Sequence, residues 1–436
     1  MWALPRERAR KSQKRITLVH ENWFGRFAFI WTGQTLSQVG SRIATFALIW
    51  WLTQATGSAQ VLATATLASL IPLILLRPLT GALVDRLSRK WVIVLSDAAI
   101  ALASLWLAWM FWSGAMHPWH VYIVVAVRAV GDAFHAPAKT ASTPLLVPDR
   151  HLSRLAGVDS AILGGLKFAG PVLGALAITL LPLHGVMLID VSTAVLAILP
   201  VLIYGIPQPR RTTDVRRARF LASIGEAIRF IRAAPGLLVI SGYFALSNAL
   251  GALVWPFLPL YIVEYFKGGA MHLATLEAGD GIGFILGGAL FVLWPGFKGR
   301  LTTMFIAASL QATCGILVGF SPSGTIAFAV AGMVINGLMN TYVNAPSRVL
   351  VQRHVPHEMQ GRLSSIGASI SWSLRPFAVL AGGFLVERYG FRPLAQAVGI
   401  FFLFSWVLAL LPASRNLEAT LKQLNAGRDG GEAADD

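Results

Sequence analysis

The amino-acid sequence predicts an all-α membrane protein, in which about twelve transmembrane helices form two pseudo-symmetric six-helix halves. Apolar stretches of about twenty residues, the length of one helical bilayer crossing, recur through most of the chain. Of its 436 residues, 55% are hydrophobic and only 13% are charged, and the mean hydropathy is +0.64. A soluble core does not need that much apolar surface. Lys and Arg also cluster in every second connection between the stretches, as they do in chains that cross a membrane repeatedly.

The basic residues are unevenly distributed among the connections. Connections without Lys or Arg lie near Thr56, His117, His184 and Ser321. The basic clusters lie between them, around 6–15, 86–90, 139–154, 210–232, 298–300, 348–362 and 415–428. Because cytoplasmic connections retain Lys and Arg, both termini are predicted to be cytoplasmic. The same bias accounts for the net charge of +16, so no nucleic-acid partner is expected. Exceptions in predicted outer connections are Lys267, Arg388 and Arg392.

The predicted spans divide the chain into five segments. Spans 1 to 12 are placed at 27–52, 59–82, 91–113, 119–141, 155–182, 185–206, 236–264, 275–296, 301–320, 325–346, 362–387 and 390–412. The segments are a basic cytoplasmic N-terminal segment (1–26), an N-terminal half (27–206), a cytoplasmic linker (207–235), a C-terminal half (236–413) and a cytoplasmic tail (414–436). In the linker, Leu221, Ile224, Ile228 and Ile231 share one helical face, which predicts an amphipathic helix on the inner membrane surface. That helix either tethers the halves or binds a partner.

The sequence carries no pattern typical of an enzyme or a cofactor site. The single cysteine, Cys314, lies inside an apolar span, so neither a disulfide framework nor a cysteine metal site is expected. There is no P-loop, zinc-protease pattern or nucleophile elbow. We therefore expect a protein that is not an enzyme and needs no cofactor and no metal.

An internal repeat relates the two predicted halves. Val147-Pro148, Arg154, Lys167 and Gly174 recur 208 residues later, at Val355-Pro356, Arg362, Arg375 and Gly382. Duplicated halves related by an axis along the membrane normal are one of the designs of membrane transporters. The repeat places Lys167 and Arg375 at matched depth in spans 5 and 11.

The loop between spans 2 and 3 carries the most specific motif of the chain. It contains Gly81, Asp85, Arg86, Arg89 and Lys90, a glycine followed by a carboxylate and then by basic residues. A positive-inside loop explains the basic residues but not the spacing of Gly81 and Asp85. The pattern resembles the G-x-x-x-D-R-x-x-R-K signature of the major facilitator superfamily. This resemblance implies a transporter fold in which the loop acts as a conformational latch.

Span 5 contains Gly170-Pro171-Val-Leu-Gly174. A proline in a membrane helix frees a backbone carbonyl, and the flanking glycines allow close packing at the bend. The segment resembles the G-P-x-x-G antiporter motif of drug exporters of the superfamily, which favours export. The span 4 segment that runs through Thr143 to Pro148, the loop at Val84-Asp85-Arg86 and the outer turn from Glu264 to Gly268 are similar to the macrolide-efflux branch and to the related siderophore exporters of bacterial inner membranes.

Span 4 carries Arg128, Asp132 and His135, with the first two four residues apart on one helical face. Members of the superfamily often have an arginine here. The resemblance therefore makes Arg128 a candidate for proton coupling. The helical spacing adds Asp132 on the same face and His135 one turn further along, although His135 could instead be a hydrogen-bonded packing residue.

Ionisable residues at membrane depth are costly and usually line an interior or a cavity. Candidates for a substrate cavity are Arg42, Lys167, Asn336, Asn340, Asn344 and Arg375. Asp97 is expected to pair with loop arginines, and Asp190 with a cation between spans 5 and 6. If cations outnumber carboxylates in the cavity, anionic or zwitterionic substrates are favoured.

Together, the sequence and the resemblance predict a proton-coupled exporter of small amphiphilic molecules, such as macrolide-type drugs or siderophores, that works by alternating access. The expected partners are a small-molecule substrate, protons and the lipid bilayer. We expect a monomer in a bacterial inner membrane. One alternative is an importer of the same fold, and another is a membrane protein without coupled transport, with a lipid-handling or sensor role.

Overall fold

The computed structural model describes residues 23–84, 87–207, 235–297, 299–354, 367 and 369–404. Within this part of the chain every regular element is helical, as the sequence predicts. The α-helices are α1 (Trp23–Thr56), α2 (Ala59–Val84), α3 (Arg89–Trp112), α4 (Pro118–Leu146), α5 (Asp149–Leu180), α6 (Leu183–Tyr204), α7 (Pro235–Val254), α8 (Leu258–Glu264), α9 (Ala270–Leu293), α10 (Arg300–Gly319), α11 (Ala327–His354), α12 (Arg375–Tyr389) and α13 (Phe391–Leu403). Among the described residues, nine helical stretches are long and apolar enough to cross a membrane, judged by length and composition.

Two predicted spans are interrupted by turns that the sequence analysis did not place. Span 7 is not one helix, because a 3-10 turn at Trp255–Phe257 separates α7 from α8. Pro256 lies in this turn and Pro259 near the start of α8. Neither residue has the backbone N–H that a continuous helix needs. Span 11 is interrupted by a turn at Leu374, and α12 begins at Arg375 with Pro376 in its first turn.

The two faces of helix α3 differ in exposure and in polarity. Leu95, Leu102 and Trp109 recur every seven residues on one face and are 63%, 66% and 58% exposed. Asp97 and Ser104, also seven residues apart, lie on the opposite face and are buried. Apolar side chains therefore point outward and polar side chains point inward, which is the arrangement that a lipid environment requires.

The described residues form two compact units. The first contains the described residues within Met1–Ala44, Leu75–Leu163 and Leu181–Arg211, and the second contains those within Thr45–Ile74, Gly164–Leu180 and Thr212–Asp436. In the first unit α3 packs against α4 and α6, and an apolar cluster that includes Ile30, Val94 and Val201 fills the space near it. In the second unit α11 packs against α9 and α10, α13 packs against α10, and α12 packs against α7.

Several sequence predictions fall outside the described residues. They are Asp85 and Arg86 of the loop motif, the amphipathic face of the linker, the N-terminal segment up to residue 22, the tail after residue 413, and the repeat positions 355, 356 and 362.

Arg392, one of the exceptions to the charge rule, stabilises a helix end. Its Nε donates a hydrogen bond to the carbonyl oxygen of Gly319, the last residue of α10, at 2.8 Å, and Gln396 Nε2 donates to the same oxygen at 2.9 Å. The guanidinium also lies over the ring of Tyr265, 5.1 Å from its centroid. The last carbonyls of a helix lack intrahelical partners and carry partial negative charge. These local contacts explain a cation at position 392, so Arg392 does not conflict with the charge rule for outer connections.

We predict that Arg392→Met lowers the free energy of unfolding by about 1–2 kcal/mol, because the carbonyl of Gly319 loses a charged donor. The matched change Arg388→Met removes an exposed cation from the last turn of α12, and its effect should stay below about 0.5 kcal/mol. Thermal unfolding of the purified protein in detergent compares the two variants. Equal shifts of the midpoint would contradict the capping role.

Candidate functional site

Three networks of ionisable side chains lie inside the helical units. The Arg128 network (Ser41, Ser104, Arg128 and Asp190) and the His135 network (Gln34, Asp97 and His135) belong to the first unit. The Lys167 network (Lys167, Asp280, Gln311 and Asn336) belongs to the second. Each network contains one cationic or protonatable nitrogen group and one carboxylate.

The Arg128 network joins four helices through one fully buried carboxylate. Arg128 Nη1 of α4 forms a salt bridge with Asp190 Oδ2 of α6 at 2.5 Å. The hydroxyls of Ser104 in α3 and Ser41 in α1 donate to the two oxygens of Asp190 at 2.6 and 2.9 Å. Arg128 Nη2 donates to the carbonyl oxygen of Ser41 at 3.1 Å. Asp190 is 0% exposed and Arg128 8% exposed, so this pair is compensated almost entirely by protein groups.

This geometry corrects one expectation. The cation that Asp190 neutralises is Arg128 of α4, not one between spans 5 and 6. Arg128 bonds to Asp190 across the unit, although Asp132 lies one turn away on its own helix. Asp132 is an exposed residue, and its carboxylate lies within electrostatic range of Arg128, His135 and Arg42.

The His135 network lies one to two turns further along α4. His135 Nε2 is 2.7 Å from Gln34 Oε1 and 3.3 Å from Asp97 Oδ1. Gln34 Nε2 donates to Asp97 Oδ2 at 2.9 Å, which closes a ring of three side chains from α1, α3 and α4. The expected pairing of Asp97 with loop arginines is therefore wrong for the contacts that the structure shows. Because both neighbours of Nε2 are acceptors, this nitrogen must carry the proton.

The Lys167 network links α5, α9, α10 and α11. Lys167 Nζ lies 2.9 Å from Asp280 Oδ2, and Asn336 Nδ2 donates to Asp280 Oδ1 at 2.7 Å. Gln311 Nε2 in turn donates to Asn336 Oδ1 at 2.9 Å. The ammonium also lies 4.9 Å from the ring centroid of Phe284. The side chains of Lys167 and Asp280 are 34% and 17% exposed, so this ion pair is more accessible than the Arg128 pair.

Two glycines allow these helices to approach. A Cβ on Gly281 of α9 would lie 2.5 Å from the backbone nitrogen of Phe168, the residue after Lys167. A Cβ on Gly337 of α11 would overlap the carbonyl oxygen of Asp280. Side chains larger than hydrogen would thus separate α5 and α11 from α9 at the level of the ion pair. Glycine at both positions brings Lys167, Asp280 and Asn336 within bonding distance.

The other predicted cavity residues are distributed differently. Arg42 is exposed in α1. Arg375, the repeat partner of Lys167, lies over the ring of Trp372 with its guanidinium 4.9 Å from the centroid. In α11, Asn344 Nδ2 donates to the backbone oxygen of Asn340 at 2.9 Å, so only Asn336 of the asparagine stripe joins the Lys167 network.

The described residues of the loop motif contact backbone carbonyls of the first unit. Arg89 Nη1 donates to the carbonyl oxygen of Ala141 in α4 at 2.7 Å, and Lys90 Nζ to that of Leu202 in α6 at 2.9 Å. Gly81 lies in the last turn of α2. These contacts connect the start of α3 to two neighbouring helices.

The antiporter motif lies inside α5, which continues through Pro171 to Leu180. Gly170 and Gly174 are buried, and a Cβ on Gly174 would lie 2.8 Å from the side chain of Phe46. The motif therefore provides a close packing surface, as the sequence analysis expected of its glycines.

The networks also contain residues that the sequence analysis missed. These are Gln34, Ser41, Ser104, Phe284 and Gln311. A signal was present for one of them, because Ser104 follows Asp97 by seven residues on one face of α3. Within the described residues, no group of three or more His, Cys, Asp or Glu side chains could hold a metal ion.

The pairings change the expected charge of the interior. Arg128, His135 and Lys167 each contact a carboxylate, namely Asp190, Asp97 and Asp280. These three residues therefore do not add an excess of positive charge to the interior. The preference for anionic substrates depended on such an excess, so these residues do not support it.

Comparison with known proteins agrees with this architecture. Residues 30–378 match the family model of the Major Facilitator Superfamily. The chain is 30% identical over 375 residues to macrolide efflux protein A of Streptococcus pyogenes, covering 85% of this chain and 92% of that protein. It is 22% identical over 398 residues to the multidrug efflux pump Tap of Mycobacterium bovis, covering 88% and 92%.

A solved structure shows the same fold. The crystal structure of a bacterial homologue of the human lysosomal transporter Spinster, inward-facing and unoccupied, aligns with a TM-score of 0.67 at 15% sequence identity. The alignment covers 91% of this chain and 98% of that one.

We predict that Gly281→Ala lowers the free energy of unfolding by about 1–3 kcal/mol, because the added methyl forces Phe168 and α5 away from α9. Gly288→Ala on the same helix is the matched control, since a Cβ there meets nothing within 4 Å. It should be neutral or stabilising by up to about 1 kcal/mol through helix propensity. Thermal unfolding in detergent measures both. A Gly281→Ala protein as stable as Gly288→Ala would contradict the close approach.

We also predict that Arg128→Met costs about 3–5 kcal/mol of unfolding free energy, because it leaves the fully buried Asp190 without its cation. The double variant Arg128→Met/Asp190→Asn carries no charge at this point and should recover most of the loss. Unfolding in detergent is again the measurement. A double variant no more stable than the single one would mean that the salt bridge is not what holds these helices together.

Proposed function

The chain belongs to the major facilitator superfamily and is a multi-pass membrane transporter, and from this premise we propose that it is a proton-coupled exporter of small amphiphilic molecules. Export is supported by the similarity to macrolide efflux protein A, which extends over 85% of the chain. This is the observation that carries the proposal. Its substrates would be macrolide-type drugs or other amphiphiles, and it would exchange them for protons across a bacterial inner membrane.

The packing of α5 supports export as well. The glycines of the Gly170-Pro171-Val-Leu-Gly174 motif are buried, and Gly174 packs against Phe46. Small residues at such a contact let two helices approach closely. Alternating access involves helices packed around a substrate site, and the close contact of α5 with α1 is of that kind.

Proton coupling is assigned to Asp132 and His135, with Arg128 as their fixed neighbour. Asp132 is an exposed residue, so its carboxylate is not enclosed by neighbouring side chains. His135 lies one turn further, held between Gln34 and Asp97. An imidazolium at this position forms an ion pair with the carboxylate of Asp97, whereas a neutral imidazole offers its Nε2–H to the same groups only as an uncharged donor. The protonation state of His135 thus changes how strongly α4 is attached to α1 and α3.

This coupling has the thermodynamic form that transport needs. A ligand shifts a two-state equilibrium only if it binds the two states with different affinity. A proton that strengthens the contacts of α4 in only one conformation binds that conformation more tightly than the other. By linkage, a substrate that shifts the same equilibrium then changes the affinity for the proton. Arg128 would keep α4 anchored to Asp190 while protons bind and leave further along the helix.

The loop motif completes the mechanism as a latch. Arg89 and Lys90 hold the start of α3 against backbone carbonyls of α4 and α6. A hydrogen bond from a charged donor is stronger than a neutral one, yet it breaks without chemical change. Such contacts suit a loop that must hold one conformation and release it during each cycle.

We predict that everted membrane vesicles containing the protein accumulate a fluorescent lipophilic dye when a proton gradient is applied. Asp132→Asn and His135→Gln should reduce gradient-driven uptake to the level of vesicles without the protein. Dye counterflow, which needs no gradient, should continue in both variants, because the substrate site is intact. This combination identifies loss of coupling rather than loss of folding.

Glu264→Gln serves as the control, since it removes a carboxylate from an exposed residue at the end of α8. It should leave gradient-driven uptake unchanged. Uptake that continues at the normal rate in Asp132→Asn and His135→Gln would refute the assignment of coupling to α4. Accumulation only in right-side-out vesicles would favour the importer of the same fold instead.

A further inference from the structure

The Lys167 network differs from the Arg128 network in how its cation is held. Asp190 accepts hydrogen bonds from two serines as well as from Arg128, and Ser104, Arg128 and Asp190 are all buried. Asp280 is fixed on one side only, where Asn336 binds Oδ1 and is itself held by Gln311. Its other oxygen, Oδ2, meets the ammonium of Lys167. The carboxylate is thus oriented by an amide pair, and its second oxygen is directed toward a single exchangeable partner.

We propose that Asp280, Asn336 and Phe284 form a subsite for the charged group of an organic cation, and that the ammonium of Lys167 and the substrate cation exchange on the same carboxylate. This inference rests on the proposed transport function and names the charge of its substrate. The exchange makes Lys167 an internal competitor of the substrate.

The chemistry of the three groups selects a positive charge. The carboxylate of Asp280 supplies a full negative charge, and an ammonium 4.9 Å from the ring centroid of Phe284 lies within the range of a cation–π interaction. An aromatic ring combined with a carboxylate is an arrangement that recognises lipophilic ammonium and related cations. An anionic substrate would instead have to displace Asp280 from Lys167 and leave the carboxylate without a cation.

Lysine suits the role of an exchangeable cation better than arginine does. Its compact ammonium is carried on a flexible four-carbon stem, whereas the guanidinium of Arg128 is fixed by several directed bonds. The Lys167 side chain is 34% exposed, so the ammonium can leave Asp280 and be hydrated. When a substrate cation takes its place, Asp280 stays compensated throughout. The exchange therefore avoids the cost of a partly buried carboxylate with no cation.

A pair of probes with the same shape and opposite charge tests this inference. Binding of tetraphenylphosphonium and of tetraphenylborate to the purified protein in lipid nanodiscs is measured by equilibrium dialysis, without any proton gradient. Lys167→Gln should tighten tetraphenylphosphonium binding by about tenfold, because the internal competitor is gone and the carboxylate remains. Asp280→Asn should reduce tetraphenylphosphonium binding to that of protein-free nanodiscs and strengthen tetraphenylborate binding.

Two further variants make the test specific. Lys267→Gln removes the same charge by the same substitution from an exposed turn residue, and it should leave both affinities unchanged. Lys167→Gln/Asp280→Asn has neither charge and should bind tetraphenylphosphonium more weakly than Lys167→Gln alone. A gain for tetraphenylphosphonium without a gain for tetraphenylborate in Lys167→Gln is not what exposed apolar surface of a misfolded protein would give, so this arm remains decisive even if Asp280→Asn folds poorly.

Equal or weaker tetraphenylphosphonium binding by Lys167→Gln would overturn the inference, as would a similar gain in Lys267→Gln. The result is separable from the proposed function, because the assay measures binding and not transport. Expected binding shifts together with absent gradient-driven uptake would refute proton-coupled export and leave the cation subsite standing. Normal gradient-driven uptake together with unchanged tetraphenylphosphonium binding in Lys167→Gln would refute the cation subsite and leave proton-coupled export standing.

Discussion

The structure depends on one constraint: a charge inside an apolar helical protein must have a partner that replaces water. The three networks satisfy this constraint, since Arg128, His135 and Lys167 each contact a carboxylate. The partners lie on different helices, so each pairing also fixes which helices are neighbours. In the first unit a single carboxylate, Asp190, connects α1, α3, α4 and α6 in this way. The contacts that compensate these charges are therefore also contacts that hold the helices together.

The sequence predicted the helical class and most helix positions, because hydropathy and charge bias are local properties that a bilayer imposes on every span. It also identified Lys167 and Arg128 as interior cations. It did not predict their partners, since Asp280 is 113 residues from Lys167 and Asp190 is 62 from Arg128. Spacing along span 4 showed only that Asp132 lies on the same helical face as Arg128. Only packing between helices decides which carboxylate a cation meets, and that information is spread over many apolar contacts.

The difference between the Arg128 and Lys167 pairs separates a structural role from a functional one. A buried guanidinium with several directed bonds loses all of them together when it moves, so it holds helices in place. A partly exposed ammonium with one carboxylate and one aromatic ring exchanges its partners at lower cost. The same protein thus contains a fixed pair and an exchangeable pair. Burial and the number of bonds distinguish them, while residue type alone does not.

The ionic contacts in turn depend on residues that carry no charge. Lys167 and Asn336 reach Asp280 because Gly281 and Gly337 let α5 and α11 approach α9. A methyl group at either glycine would separate these helices, and the attraction between opposite charges falls with distance while their desolvation cost remains. Charge complementarity determines which groups can pair, but the small residues determine whether they meet. In a membrane helix, glycine spacing is therefore as informative about a polar site as the polar residues themselves.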